Sequence, residues 1–147
     1  MSGVILRGRL RGGLERGRLF LSMPAYKKRI EREAGFKPFE GTLNLEVNRE
    51  ELAAFLKKLK EKKIPGFEDG RHVYGSLSLY KVSCFGEKAA IIKPSKTEHP
   101  SNIIEVIGPV KFREKFGLKE GSIVEIALPQ TKKKKRIMKQ KGALGVL

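Results

Sequence analysis

Alternating apolar and polar positions along the chain predict mainly β-structure. The clearest cases are residues 42–47, where apolar side chains occupy every second position, and residues 76–83, which begin with the alternating sequence Ser-Leu-Ser-Leu. Such alternation is typical of a strand that buries one face and leaves the other face polar. Further strands are predicted at residues 4–11, 89–92, 103–107 and 123–128.

One strongly patterned helix is predicted after the second strand. Asn48 can cap its first turn with Glu51 at the third helical position. Apolar residues then recur at steps of three and four, which gives the helix one core-facing side: Leu52, Phe55, Leu56 and Leu59.

Two more helices are expected, at residues 25–34 between Pro24 and Gly35, and at residues 110–116 after Pro109. Strands that run in series with inserted helices, without regular strand–helix alternation, indicate a β-barrel with peripheral helices. The length of 147 residues suits one domain. We therefore predict a mainly β fold with peripheral α-helices, formed as a single domain by residues 1–130.

The chain is strongly basic. It has 32 Lys and Arg against 16 Asp and Glu, a formal charge of +16, which favours partners such as nucleotides, nucleic acid or anionic membrane. Residues 131–147 contain seven of these cations and no acidic residue. Because closely spaced like charges repel, this segment is predicted to be a disordered tail. A nonspecific contact with a polyanion is its functional alternative.

Several classes of protein are excluded by composition. No apolar run approaches the roughly 18 residues that cross a bilayer, and early arginines interrupt any signal-peptide pattern. A cytoplasmic protein without membrane contact is therefore expected. Cys84 is the only cysteine, so neither an internal disulfide nor a cysteine zinc site can form, and Cys84 is expected in the core.

A glycine-rich loop is the first candidate for chemistry. Residues 12–18 read GGLERGR, and the glycines permit close approach of backbone N–H groups to a phosphate while Arg16 or Arg18 adds charge. The alternative is a simple turn between two strands. The loop is not a Walker A motif, because no Lys-Ser or Lys-Thr pair follows at the required spacing.

Two further segments carry polar groups that a core does not need. Thr42 and Asn44 are two residues apart on a strand, so their oxygens project from one face and could either bind Mg²⁺ or merely face water. Glu105 interrupts an apolar strand, where it either faces solvent or lies near a reacting hydroxyl. Lys111 and Arg113 lie near the start of a helix, whose positive end also favours anions.

Together these segments resemble the archaeal CTP-dependent riboflavin kinase family. The resemblance extends from Gly8 to about Ile126 and is most specific in the block GFKPFEGTLNL at residues 35–45. It implies a six-stranded cradle-loop β-barrel that transfers the γ-phosphate of CTP to riboflavin, giving FMN and CDP with Mg²⁺ as cofactor. It is also the basis for expecting CTP/CDP and riboflavin/FMN as partners. A monomer is expected, with nucleic acid bound only nonspecifically through the basic tail.

The resemblance also implies site residues. The metal would be bound by Thr42 and Asn44, and the flavin by Thr97 and Glu105, with Glu105 as the candidate base or orienting group for the acceptor hydroxyl. Aromatic walls for the flavin ring could come from Tyr26, Phe36 or Phe39, each of which could equally be core. The nucleotide contacts map onto Gly13, Leu14, Glu15, Arg16, Gly17, Arg18, Val110, Lys111, Phe112 and Arg113.

A binding protein without catalysis is the main alternative. Residues 107–126 also resemble the half-barrel of AbrB-type DNA-binding regulators, and the net charge would suit DNA. That similarity covers only about twenty residues and leaves the Gly-Thr-Leu-Asn motif at residues 41–44 unexplained. An RNA-binding barrel would share the charge, but the sequence has no row of aromatic residues for base stacking.

Overall fold

The computed structural model describes residues 5–12, 21–95 and 102–130. Within these residues the helices are α1 (Pro24–Ala34), α2 (Arg49–Leu56) and α3 (Phe112–Lys115). The strands are β1 (Ile5–Arg11), β2 (Leu43–Glu46), β3 (Glu61–Ile64), β4 (Phe67–Asp69), β5 (His72–Tyr74), β6 (Leu77–Cys84), β7 (Glu87–Pro94), β8 (Ile103–Ile107) and β9 (Ile123–Ala127).

Six of these strands close into an antiparallel barrel in the order β6-β7-β8-β2-β1-β9, with β9 pairing back onto β6. The closing pair involves Ser83 and Cys84 near the end of β6, whereas β3 pairs with the earlier part of the same edge, from Leu77 to Tyr80. The predicted mainly β fold and six-stranded barrel are confirmed.

The barrel interior is filled by alternate side chains of each strand. Leu10 lies opposite Leu45, and Leu45 lies opposite Ile104, so one buried layer crosses three strands. Two apolar residues of α2, Leu52 and Phe55, belong to the same cluster. The helix follows the last residues of β2 and therefore closes the barrel at that end.

A second apolar cluster covers part of the outer barrel surface. Helix α1 packs its buried face, which includes Tyr26 and Ile30, against β6 and β3, and residues of β7 belong to the same apolar cluster. This explains the continuous apolar run at residues 89–92: Ala89 and Ile91 belong to the interior cluster, and the alternate residues lie beneath the helix. Both faces of β7 are buried there.

The predicted signals for α1 and α2 are confirmed. The side chain of Asn48 accepts a hydrogen bond from the backbone N–H of Glu51 at 2.9 Å. Helix α1 begins at Pro24 and is followed by Gly35 in the left-handed region, with φ of 82°. Such a conformation is adopted readily by glycine because it has no Cβ.

Two parts of the secondary structure differ from the prediction. The helix expected at residues 110–116 is the single turn α3, because Lys111 is still extended, with φ −80° and ψ 93°. Strands β3, β4 and β5 were not predicted. They are only three or four residues long, and β3 is the charged sequence EKKI at the edge of the sheet, where charges discourage further pairing.

Cys84 is buried in the barrel interior, as expected from the sequence, and burial raises the pKa of its thiol to about 12. Residues 131–147, predicted to form the basic tail, lie outside the described part of the chain. Among the helices that the structure describes, none is long and apolar enough to cross a membrane.

Candidate active site

A cavity of about 410 Å³ lies at the barrel end where β2 begins and β8 finishes, away from α2. A volume of this size is within the range of roughly 300–1,000 Å³ that small-molecule sites occupy. Four segments supply its walls: Gly12, residues 39–44, Val106 with Gly108, and residues 110–113.

Asn44 and Glu105 occupy the outer face of the barrel wall beside this cavity. They are directly opposite each other in the β2–β8 ladder, so their side chains project from the same face. Both are almost fully buried, with 3% of Asn44 and 1% of Glu105 exposed, and they are the buried polar or charged residues within the described part of the chain. The alternatives of a water-facing Asn44 and a solvent-facing Glu105 are therefore wrong.

Thr42 completes an oxygen-rich group with these two residues. Its Oγ1 donates a hydrogen bond to Glu105 Oε1 at 3.2 Å. Asn44 Oδ1 is buried and accepts no hydrogen bond from any described residue. A hydroxyl, an amide oxygen and a carboxylate are the donor types that Mg²⁺ prefers, so the group fits a hard divalent cation.

Elsewhere in the described part of the chain, no three His, Cys, Asp or Glu side chains come together as a metal site. A cation at Thr42 and Asn44 could complete its coordination with water and with a bound substrate. Mg²⁺ is commonly bound in this way beside phosphate groups.

The loop that leads into β2 is fixed at several points. The Phe39 N–H donates to the Gly108 carbonyl at 2.8 Å, and Lys27 of α1 pairs with Glu40 at 3.2 Å. A Cβ on Gly41 would lie 2.9 Å from the Phe39 ring, so a side chain at this position would displace that ring. The Lys27–Glu40 pair was not predicted, since residues so far apart in sequence give no signal of their contact.

The segment at residues 110–113 places two exposed cations at the cavity. Lys111 pairs with Glu114 at 3.1 Å, whereas no ion pair links Arg113 to another described residue. Phe112 lies in the barrel interior with 4% of its surface exposed, so a ligand contact from Phe112 would come from its backbone. The expected helix dipole is weak here, because α3 is a single turn.

The predicted glycine loop, Gly13 to Arg18, and the predicted flavin contact Thr97 lie outside the described residues. Gly12, the residue that immediately precedes the loop, lines the cavity.

The three aromatic candidates for the flavin pocket differ in their surroundings. Tyr26 is buried and donates a hydrogen bond to the Gly75 carbonyl, and burial, with a smaller effect of Tyr74, raises its pKa. Phe36 packs against the outer cluster. Phe39 is 39% exposed and lies on the cavity wall, which makes it the candidate that a ligand in the cavity can reach.

Comparison with known proteins gives one family match. The family model CTP-dep_RFKase, described as "Domain of unknown function DUF120", matches residues 10–128.

Relatives at this level of similarity are named riboflavin kinase. The protein of Pyrobaculum aerophilum is 37% identical over 130 residues, which cover 87% of this chain and 62% of that protein. The protein of Pyrobaculum arsenaticum is 36% identical over 128 residues, which cover 86% of this chain and 61% of that protein. The protein of Archaeoglobus fulgidus is 37% identical over 126 residues, which cover 84% of this chain and 54% of that protein. The chain thus spans little more than half of the length of these relatives.

Proposed function

The chain belongs to the CTP-dependent riboflavin kinase family, and on that basis we propose that it transfers the γ-phosphate of CTP to the 5′-hydroxyl of riboflavin. The products would be FMN and CDP. The observation that carries this proposal is the group formed by buried Asn44 and Glu105 with partly buried Thr42, beside a cavity of about 410 Å³. The catalytic unit is residues 1–130, with the basic tail outside it.

Thr42 Oγ1 and Asn44 Oδ1 are the ligands that we assign to Mg²⁺. When bound with the nucleotide, the cation would neutralise charge on the phosphate oxygens. The unpartnered, buried Asn44 oxygen supports this assignment, because burying an acceptor without a partner is otherwise unfavourable.

The phosphates of CTP are assigned to the glycine loop and to the segment after β8. Arg113 has a guanidinium that no described acid neutralises, and Lys111 adds a second charge at the cavity. Phosphoryl transfer depends mainly on positioning and on charge stabilisation of this kind. The assigned nucleotide contacts are Gly13, Leu14, Glu15, Arg16, Gly17, Arg18, Val110, Lys111, Phe112 and Arg113.

Glu105 is assigned to the acceptor, together with Thr97. Its carboxylate is fixed by Thr42 and buried next to Asn44, so it can orient the ribityl 5′-hydroxyl and accept its proton. The hydroxyl oxygen then bonds to the γ-phosphorus, the bond from that phosphorus to the bridging oxygen breaks, and CDP leaves. This direct in-line transfer requires no covalent enzyme intermediate.

The test of this mechanism is the substitution Glu105→Gln, which preserves shape and the acceptor for Thr42 but removes the base. We expect kcat for FMN formation, resolved by chromatography, to fall about 100-fold or more. Glu125→Gln is the matched control, since Glu125 is an exposed carboxylate paired with Arg7 outside the cavity lining. Full turnover by Glu105→Gln would remove the assigned role.

A further inference from the structure

A row of three polar side chains crosses the outer face of β1, β2 and β8. Arg11 lies opposite Asn44 in the β1–β2 ladder, and Asn44 lies opposite Glu105 in the β2–β8 ladder. Directly opposite residues of antiparallel strands have Cβ atoms only about 4.5–5.5 Å apart. The row therefore presents a cation, an amide and a carboxylate side by side.

Arg11 lies next to the cavity wall in the sequence but is not itself one of the lining residues. The alternating burial of β1 turns its side chain outward, and the next residue, Gly12, is part of the cavity wall. Its Nε donates to Glu46 Oε1 at 2.8 Å, and its Nη1 lies 4.0 Å from Glu120. The Arg11 side chain remains 44% exposed.

These ion pairs would not hold Arg11 away from a more highly charged partner. Exposed ion pairs contribute little to stability, because water already solvates both groups. A phosphate group offers a guanidinium two acceptor oxygens and more negative charge than one carboxylate. When an anion enters the cavity, the Arg11 guanidinium can therefore leave Glu46 for the anion, or bind both groups at once.

Arg11 would place a described cation on the β1 side of the cavity. The described cations of the cavity lining, Lys111 and Arg113, both come from the segment after β8, and Glu40 and the neighbouring Glu105 add negative charge. A nucleoside triphosphate carries several negative charges. Arg11 would supply a further counter-charge from the strand that leads into the assigned glycine loop, in addition to Arg16 and Arg18.

We propose that Arg11 binds the phosphates of the donor nucleotide from the β1 side of the row. The proposal rests on the proposed kinase function and adds a residue outside the glycine loop.

Calorimetric titration with CTP, CDP and CMP in the presence of Mg²⁺ tests the proposal without relying on turnover. We expect Arg11→Gln to weaken CTP binding about tenfold, as for loss of one charged hydrogen bond, and to change CMP binding by no more than about twofold. Arg11→Lys preserves the charge but not the planar guanidinium, and it should weaken CTP binding less than Arg11→Gln does.

Glu46→Gln separates a phosphate contact from a structural ion pair. If Arg11 serves the phosphates, removing the competing carboxylate leaves CTP binding unchanged or tighter. If the Arg11–Glu46 pair only stabilises the barrel, both substitutions weaken all three nucleotides alike, and the proposal is overturned. Arg7→Gln is the matched control, since Arg7 shares the strand, the face and an ion pair with Glu125 at 2.8 Å.

Failure of this inference differs from failure of the proposed function. Wild-type protein that binds CTP, together with an Arg11→Gln variant that binds it equally well, overturns the role of Arg11 alone. Wild-type protein that binds no CTP contradicts the kinase function, and the inference with it.

Discussion

At the scale of single residues, Asn44 shows how a buried polar atom can identify a site. Its Oδ1 accepts no hydrogen bond from the described residues although the side chain is 3% exposed. Leaving such an acceptor unsatisfied costs about 1–3 kcal/mol. An apolar residue at this position would make the fold more stable. The presence of an amide is therefore explained by binding of a ligand.

Substitution of Asn44 tests this explanation. We expect Asn44→Ala to raise the Mg²⁺ concentration needed for half-maximal FMN formation and to lower the maximal rate, because one cation ligand is lost. Stability to urea should be unchanged or higher, because the substitution removes a buried acceptor that has no hydrogen-bond partner among the described residues. Asn102→Ala is the control, because Asn102 is partly exposed and does not line the cavity. An unchanged Mg²⁺ dependence would contradict the metal assignment.

Cys84 gives a prediction about pH. Its pKa is raised from 9.0 to about 12 by burial, so the unfolded thiol ionises first as the pH rises. The stability that the neutral thiol contributes is therefore complete below pH 9 and is lost between pH 9 and 12. The difference in unfolding free energy between wild type and Cys84→Ala should shrink by about 1.4 kcal/mol per pH unit in that interval. Urea unfolding at pH 8, 10 and 11 measures it, and a constant difference would refute the prediction.

At the scale of secondary-structure elements, α2 and the cavity are separate features. The helix is capped by Asn48 and closes the barrel end opposite the cavity. We expect Asn48→Ala to lower stability by about 1 kcal/mol, with nucleotide affinity unchanged, and Asn48→Asp to retain the cap. Urea unfolding and calorimetry on the same samples measure both. Equal stability of wild type and Asn48→Ala would show that the cap is not needed.

Elements with a strong local signal could be predicted from the sequence. Helix α1 is bounded by Pro24 and Gly35, and β8 is a clear apolar run, so both agree with the prediction closely. The short strands β3, β4 and β5 carry no such signal, because tertiary pairing rather than local pattern determines them.

The candidate site was predicted only in part for the same reason. Spacing on one strand places Thr42 near Asn44, but their contact with Glu105 depends on the β2–β8 register, which joins residues about sixty positions apart. Register across a barrel is a property of the whole sheet. The glycine loop and Thr97, predicted through the family resemblance, remain predictions.

At the scale of the whole molecule, barrel closure distinguishes the two interpretations of residues 107–126. The resemblance to AbrB-type regulators concerns a half-barrel that a second chain completes. In this chain six strands close the barrel themselves, and that segment supplies α3 and most of β9 to it. Under the proposed function, the net charge of +16 would act as a general field that attracts an anionic nucleotide.

The most direct test of the central claim is a turnover assay with the purified chain, riboflavin, Mg²⁺ and CTP, ATP, GTP or UTP supplied separately. FMN is resolved from riboflavin by chromatography. The proposed function predicts FMN with CTP and little with ATP, and loss of the product in Glu105→Gln. No FMN with any nucleotide, across temperatures and divalent metals, would contradict it.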